Sequence, residues 1–156
     1  MDFQLSLQSE TTKALYPDEP VAVETHERID TVIELMKAQR VAAVLVTDAD
    51  RLAGVFTERD VLRLLADRSD LSRPVREVMS APPVTVTNAC TVGDAIHRMS
   101  DGGYRHLPIV AADDPQMATG VVDVRGIVRY LVEHFPNTIY NLPPHPERAT
   151  AEREGA

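Results

Sequence analysis

The apolar positions of this chain form one ordered set that occurs twice. Pro20-Val21-Ala22-Val23 returns 63 residues later as Pro83-Val84-Thr85-Val86. Each run is followed by a stripe at i, i+3, i+4 and i+7: Ile29, Val32, Ile33 and Met36, then Val92, Ala95, Ile96 and Met99. That spacing places the four side chains on one helix face. Short apolar runs come next, Ala43-Val44-Leu45-Val46 and Leu107-Pro108-Ile109-Val110. In the first copy an Asp-rich turn from Thr47 to Leu52 leads into Ala53-Gly54-Val55-Phe56. In the second, Ala111 to Ala118 leads into Thr119-Gly120-Val121-Val122. Each pair of runs predicts a hairpin. A second helix closes each unit, with Val61, Leu62 and Leu65 answered by Ile127, Val128 and Leu131. The length differences fall in turns, where extra residues cost little.

Each unit therefore reads β-α-β-β-α. About 60 residues with one small sheet bury too little surface to fold alone. The predicted class is α+β (an α/β sandwich), two repeats related by a pseudo-twofold axis, with their sheets packed together and the helices outside. The expected organisation is an N-terminal extension 1–17, a first repeat 18–68, a linker 69–81, a second repeat 82–135 and a Pro-rich tail 136–156. The tail is expected to be partly disordered. Arg73-Pro74 is expected to break the helix before the linker. Phe3-Gln4-Leu5-Ser6-Leu7-Gln8 alternates apolar and polar positions as a strand does.

Composition narrows the function classes. The net charge of -8 and the lack of a dense Lys/Arg run argue against a nucleic-acid partner. Cys90 stands alone, which excludes an internal disulfide and a thiolate metal cluster. No apolar run approaches the ~18 residues of a membrane span and no leader-like segment opens the chain, so a cytoplasmic protein without a membrane partner is expected. His26, His97, His106, His134 and His145 show no metal-ligand spacing. Gly102-Gly103 reads as a helix-ending turn, not a phosphate loop. No nucleophile–base–orienter set occurs, so neither an enzyme nor a catalytic cofactor is expected.

The chemistry that remains lies at the start of the first repeat's closing helix. Thr57-Glu58-Arg59-Asp60 has the spacing of a capping box, a purely structural arrangement. The same residues suit a ligand. A carboxylate at a helix start accepts both hydroxyls of a ribose diol, and the helix's exposed amides take a phosphate. The two roles can coexist, because a hydroxyl that caps one amide still has a proton to donate. Arg59 either offers a cation to phosphate or is a solvated first-turn arginine.

The string Gly54-Val55-Phe56-Thr57-Glu58-Arg59-Asp60-Val61 resembles the signature that closes a CBS domain. Arg76-Glu77-Val78-Met79-Ser80-Ala81-Pro82-Pro83-Val84 is similar to the usual entry into a second CBS repeat. Tyr104-Arg105-His106-Leu107-Pro108-Ile109-Val110 is similar to its central strand, and the match covers about residues 18–135. The resemblance implies a tandem pair that binds adenosine compounds (AMP, ADP, ATP or S-adenosylmethionine) between its repeats and regulates another protein. It also implies that Thr57, Arg59 and Asp60 face an adenine wall built from Ser80, Pro83, Val84, Tyr104, Arg105 and His106. The net charge and the few cations near this cleft favour AMP over ATP.

The second repeat departs from that pattern. Asp123 stands in place of Thr57, and Gly126 in place of Asp60. Asp is an excellent N-cap, so the helix still starts, but the ribose-binding carboxylate is gone. One competent cleft per chain is the expectation. Arg105 and His106 form either a phosphate claw for the degenerate cleft or, as the favoured account, Arg105 pairs with Asp123. Surplus apolar residues on the closing helices predict a homodimer. The competing reading is a dimerising interaction scaffold with a vestigial nucleotide cleft.

Overall fold

A computed structural model describes residues 2–137 of the chain. The expected tail lies outside the described residues from position 138 onward. The first repeat comprises β1 (Ala22–Glu24), α1 (Ile29–Gln39), β2 (Ala43–Asp48), β3 (Arg51–Thr57) and α2 (Glu58–Ala66). The second comprises β4 (Val86–Thr87), α3 (Val92–Gly102), β5 (His106–Ala111), β6 (Asp114–Asp123) and α4 (Val124–His134). Each builds a three-stranded sheet, ordered β1-β2-β3 and β4-β5-β6, with the outer pair of neighbours parallel and the hairpin antiparallel. The expected β-α-β-β-α duplication is the observed architecture.

Strand alternation distributes the core. On β2 and β3, Val44, Val46 and Phe56 face the helices and pack with Ile29, Val32, Met36 and Leu64. Leu45, Leu52 and Val55 point the other way and meet Val110, Ala118 and Val121 of the second sheet. Both faces of each hairpin are thus covered, which explains why these runs are apolar throughout instead of alternating. At the far rim Arg51 clasps Asp114 bidentately at 2.8 and 3.0 Å and reaches Gln116 at 2.8 Å, tying one hairpin to the other.

The repeats also brace one another through their lead-in segments, each of which closes the repeat that precedes or follows it across the axis. Residues 71–80 run along the first repeat: Ile29 N–H donates to the Arg73 carbonyl at 3.0 Å and Val75 N–H to the Glu27 carbonyl at 2.8 Å. The N-terminal segment treats the second repeat alike, with Val92 N–H on the Glu10 carbonyl at 2.8 Å and Thr12 N–H on the Cys90 carbonyl at 2.9 Å. These carbonyls satisfy amides at helix starts that would otherwise lack acceptors. Leu15, inside the expected extension, is fully buried in the core of the second repeat.

Several expectations need correction. Phe3–Ser9 is a helix, not a strand. Asp2 caps it by accepting from Gln4 N–H, and Phe3 and Leu7, one turn apart, pack on the second repeat while Leu5 is exposed. The working period is four, and three alternating apolar residues satisfied both readings. The helix before the linker ends at Ala66, with Arg68 in the left-handed region (φ 52), so Arg73-Pro74 lies too far on to be its breaker. The second hairpin turn is shorter than expected, because β6 begins at Asp114 and absorbs the extra residues as irregularities opposite Val110.

Candidate functional site

Register places Thr57 and His106 each at the closing end of its hairpin. Ala43 pairs with Thr57 at the close of the first hairpin, and His106 pairs with Asp123 at the close of the second. Thr57 leaves β3 extended and starts α2, where Glu58 N–H donates to the Ala42 carbonyl at 2.9 Å. Asp60 is 8% exposed. Its Oδ2 accepts the Thr57 N–H at 2.9 Å and lies 3.2 Å from the Thr57 hydroxyl. The other oxygen, Oδ1, has no hydrogen-bond partner among the described residues. The capping box is therefore real, and it uses half of the carboxylate.

Ser80 is placed beside this helix start by a two-way backbone bridge with Val55, at 2.9 and 3.1 Å. That approach explains Gly54: a Cβ there would lie 2.8 Å from the Ser80 carbonyl oxygen and 2.6 Å from Met79 Sδ. Pro83 and Val84 follow half-buried, and Val84 packs on the core of the second repeat. Tyr104 is exposed, with its ring folded over Gly102, where an added Cβ would push it aside. Arg59 and Arg105 are exposed and form no ion pair among the described residues.

His106 is half-buried at the head of β5. Burial lowers its pKa, which the Asp123 carboxylate and, more weakly, Glu58 of the first repeat oppose. The same Glu58 carboxylate acts on Arg125. The first turn of α2 and the start of the second repeat's closing helix thus share one electrostatic neighbourhood.

In the second repeat the favoured Arg105–Asp123 pair does not form. Arg125 takes Asp123 instead, with Nε and Nη2 both on Oδ2 at 3.0 and 2.7 Å, while Gly126 N–H donates to Oδ1 at 2.9 Å. Arg125 lies two residues along the same helix start and folds back over it. Arg105 meets this helix only through its carbonyl, which accepts from Val124 N–H at 3.0 Å. Burial tends to raise the Asp123 pKa, but the Gly126 amide and the Arg125 guanidinium outweigh it and hold the carboxyl below its usual range. Cys90 is unactivated: burial pushes its thiol up.

A groove of about 560 Å³ opens elsewhere, between α1 and α2, where Lys37, Arg40 and Glu58 join apolar residues such as Met36 and Leu62 in its lining. It contains none of the nine candidate residues. No helix of the described residues is long and apolar enough to cross a membrane.

The model of the CBS domain family matches residues 14–67 and again 75–133. The chain belongs to the CBS domain family, as a tandem pair. An uncharacterized 17.7 kDa protein of Acidianus ambivalens is 32% identical over 99 residues, 63% of this chain and 58% of that protein. A CBS domain-containing protein of Arabidopsis thaliana, CBSCBSPB3, is 30% identical over 124 residues. That match spans 78% of this chain but only 20% of the plant protein. Among solved structures, a CBS domain protein from Pyrobaculum aerophilum complexed with AMP superposes with a TM-score of 0.69 at 26% identity. It covers 79% of this chain and 98% of its own.

Proposed function

We propose that this CBS pair is a non-catalytic regulatory module that binds one adenine nucleotide between its repeats and reports it to a partner protein. One observation carries the reading: Asp60, nearly buried at the start of α2, spends only Oδ2 on the capping box and keeps Oδ1 for a ligand. A ribose diol is the group that a forked carboxylate acceptor suits. Thr57 and Arg59 lie at the same helix start, and Ser80, Pro83, Val84, Tyr104, Arg105 and His106 supply the opposing wall. The AMP held by the Pyrobaculum relative supports the same ligand class. The net charge of -8 and the few cations near this helix start place AMP ahead of ADP and ATP. We take the units as 18–68 and 82–135, with a cytoplasmic setting.

A thermal-shift screen of AMP, ADP, ATP and S-adenosylmethionine tests this. A ligand at about 100 times its dissociation constant adds about 2.7 kcal/mol, which raises the melting temperature of a domain this size by roughly 5–10 °C. AMP is expected to give the largest shift, and no shift with any of the four defeats the proposal.

The outer helices favour self-association as the second part of the reading. Leu62 and Leu65 on α2 are 69% and 55% exposed, and Val128 on α4 is 54% exposed. These residues, with the adjoining groove, form the face expected to bury itself in a homodimer. Light scattering should return the mass of two chains; a monomer at about tens of micromolar, where modest interfaces are already populated, argues against it.

A further inference from the structure

Gly126 stands where the first repeat has Asp60, and its surroundings differ from those of Asp60. A Cβ built on Gly126 falls on the Leu15 carbonyl oxygen, well inside the 3.0 Å below which real Cβ atoms are not found. The obstacle is backbone, so no side-chain rotation relieves it. The brace of the first repeat presses elsewhere, on Gly54 through the Ser80 carbonyl, and it leaves room for the whole Asp60 side chain. At the matching Gly120 the N-terminal segment is in ordinary contact, with the Asp18 carbonyl oxygen at 3.4 Å from an added Cβ. Both braces bridge the last strand at matching points, Ser80 with Val55 and Asp18 with Val121, but only that of the second repeat also presses on the helix start.

That N-terminal segment is held along its length. Thr12 and Leu15 are fully buried, and the Thr12 hydroxyl donates to the Thr87 carbonyl at 3.1 Å. Asp18 and Val121 exchange backbone hydrogen bonds, both at 3.0 Å. Between them Tyr16 adopts a left-handed conformation (φ 52), lies under the Arg129 guanidinium at 4.0 Å, and hydrogen-bonds Glu133.

We propose that residues 10–18 are the occupant of the second cleft: the Leu15 carbonyl fills the space that Asp60 uses in the first, and Gly126 is the seat of this internal strap. The second repeat is closed by its own chain, and restoring a carboxylate at position 126 does not restore a site. This claim rests on packing and is independent of what the first cleft binds.

Gly126→Asp tests it, because the two accounts predict opposite signs. In an open cleft, Asp at the third position of a helix stabilises through better helix propensity and a favourable dipole contact. With the strap seated there, the melting temperature falls by roughly 5 °C or more, a loss set by backbone displacement. Amide exchange at Thr12 and Asp18 should then accelerate about tenfold, as expected for locally released hydrogen bonds, while Leu45 in the first repeat keeps its protection. Gly126→Ala, with the smallest Cβ and no charge, should show the same pair of changes. An unchanged or raised melting temperature overturns the proposal, as does a loss of stability with unchanged strap exchange.

Discussion

Phe56→Ala should lower the unfolding free energy by about 3–5 kcal/mol, the range for deleting a buried aromatic side chain. Phe56 is fully buried on β3, packed with Val32, Val44 and Leu64, and registered opposite Val44. The cost has two parts, the lost transfer of the ring from water and the cavity left behind. A small domain holds only about 5–15 kcal/mol in total, so this one change removes a large share. At roughly 2–4 °C per kcal/mol the melting temperature falls by on the order of 10 °C. Phe56→Leu should recover most of the loss, since it refills the volume with apolar atoms. Chemical denaturation showing a loss below about 1 kcal/mol in Phe56→Ala would mean that β3 is not packed against these helices as described.

Asp60→Ala should weaken AMP binding by roughly 30- to 1000-fold while the protein remains folded. Two hydrogen bonds from a ribose diol to a charged acceptor are each worth about 1.5–3 kcal/mol. Solvent replacement and non-additivity reduce the pair to about 2–4 kcal/mol, and each 1.4 kcal/mol is a factor of ten. A cap alone behaves differently. If Asp60 only serves Thr57 N–H, the same substitution leaves affinity unchanged and lowers stability by about 1 kcal/mol. Asp60→Asn separates charge from size: it keeps one acceptor oxygen, and a ribose role still loses affinity. Binding and melting measured on the same two variants distinguish the accounts.

The architecture was legible because the chain states it twice. A stripe such as Ile29, Val32, Ile33 and Met36 is ambiguous alone, but its recurrence at Val92, Ala95, Ile96 and Met99 leaves one reading. Thr57 and Asp60 were legible because capping and ligand chemistry ask for the same residues at the same spacing. What escaped was non-local. Leu15 looked like part of an extension, and nothing near it in sequence says that it fills the core of the second repeat. Gly126 looked like a deletion of chemistry, whereas it marks a backbone approach from residues far away in the chain. The exchange of Arg105 for Arg125 as partner of Asp123 has a similar origin, since it depends on which side chain folds back over a helix start. Phe3–Ser9 failed for a simpler reason: three apolar residues at alternate positions are too few to distinguish a period of two from one near four.

The central claim is a single nucleotide cleft built on Asp60. Calorimetric titration of the unmodified chain with AMP tests it most directly. The account predicts saturable binding at one site per chain, lost in Asp60→Ala. Two equal sites per chain, or binding that Asp60→Ala leaves unchanged, would contradict it.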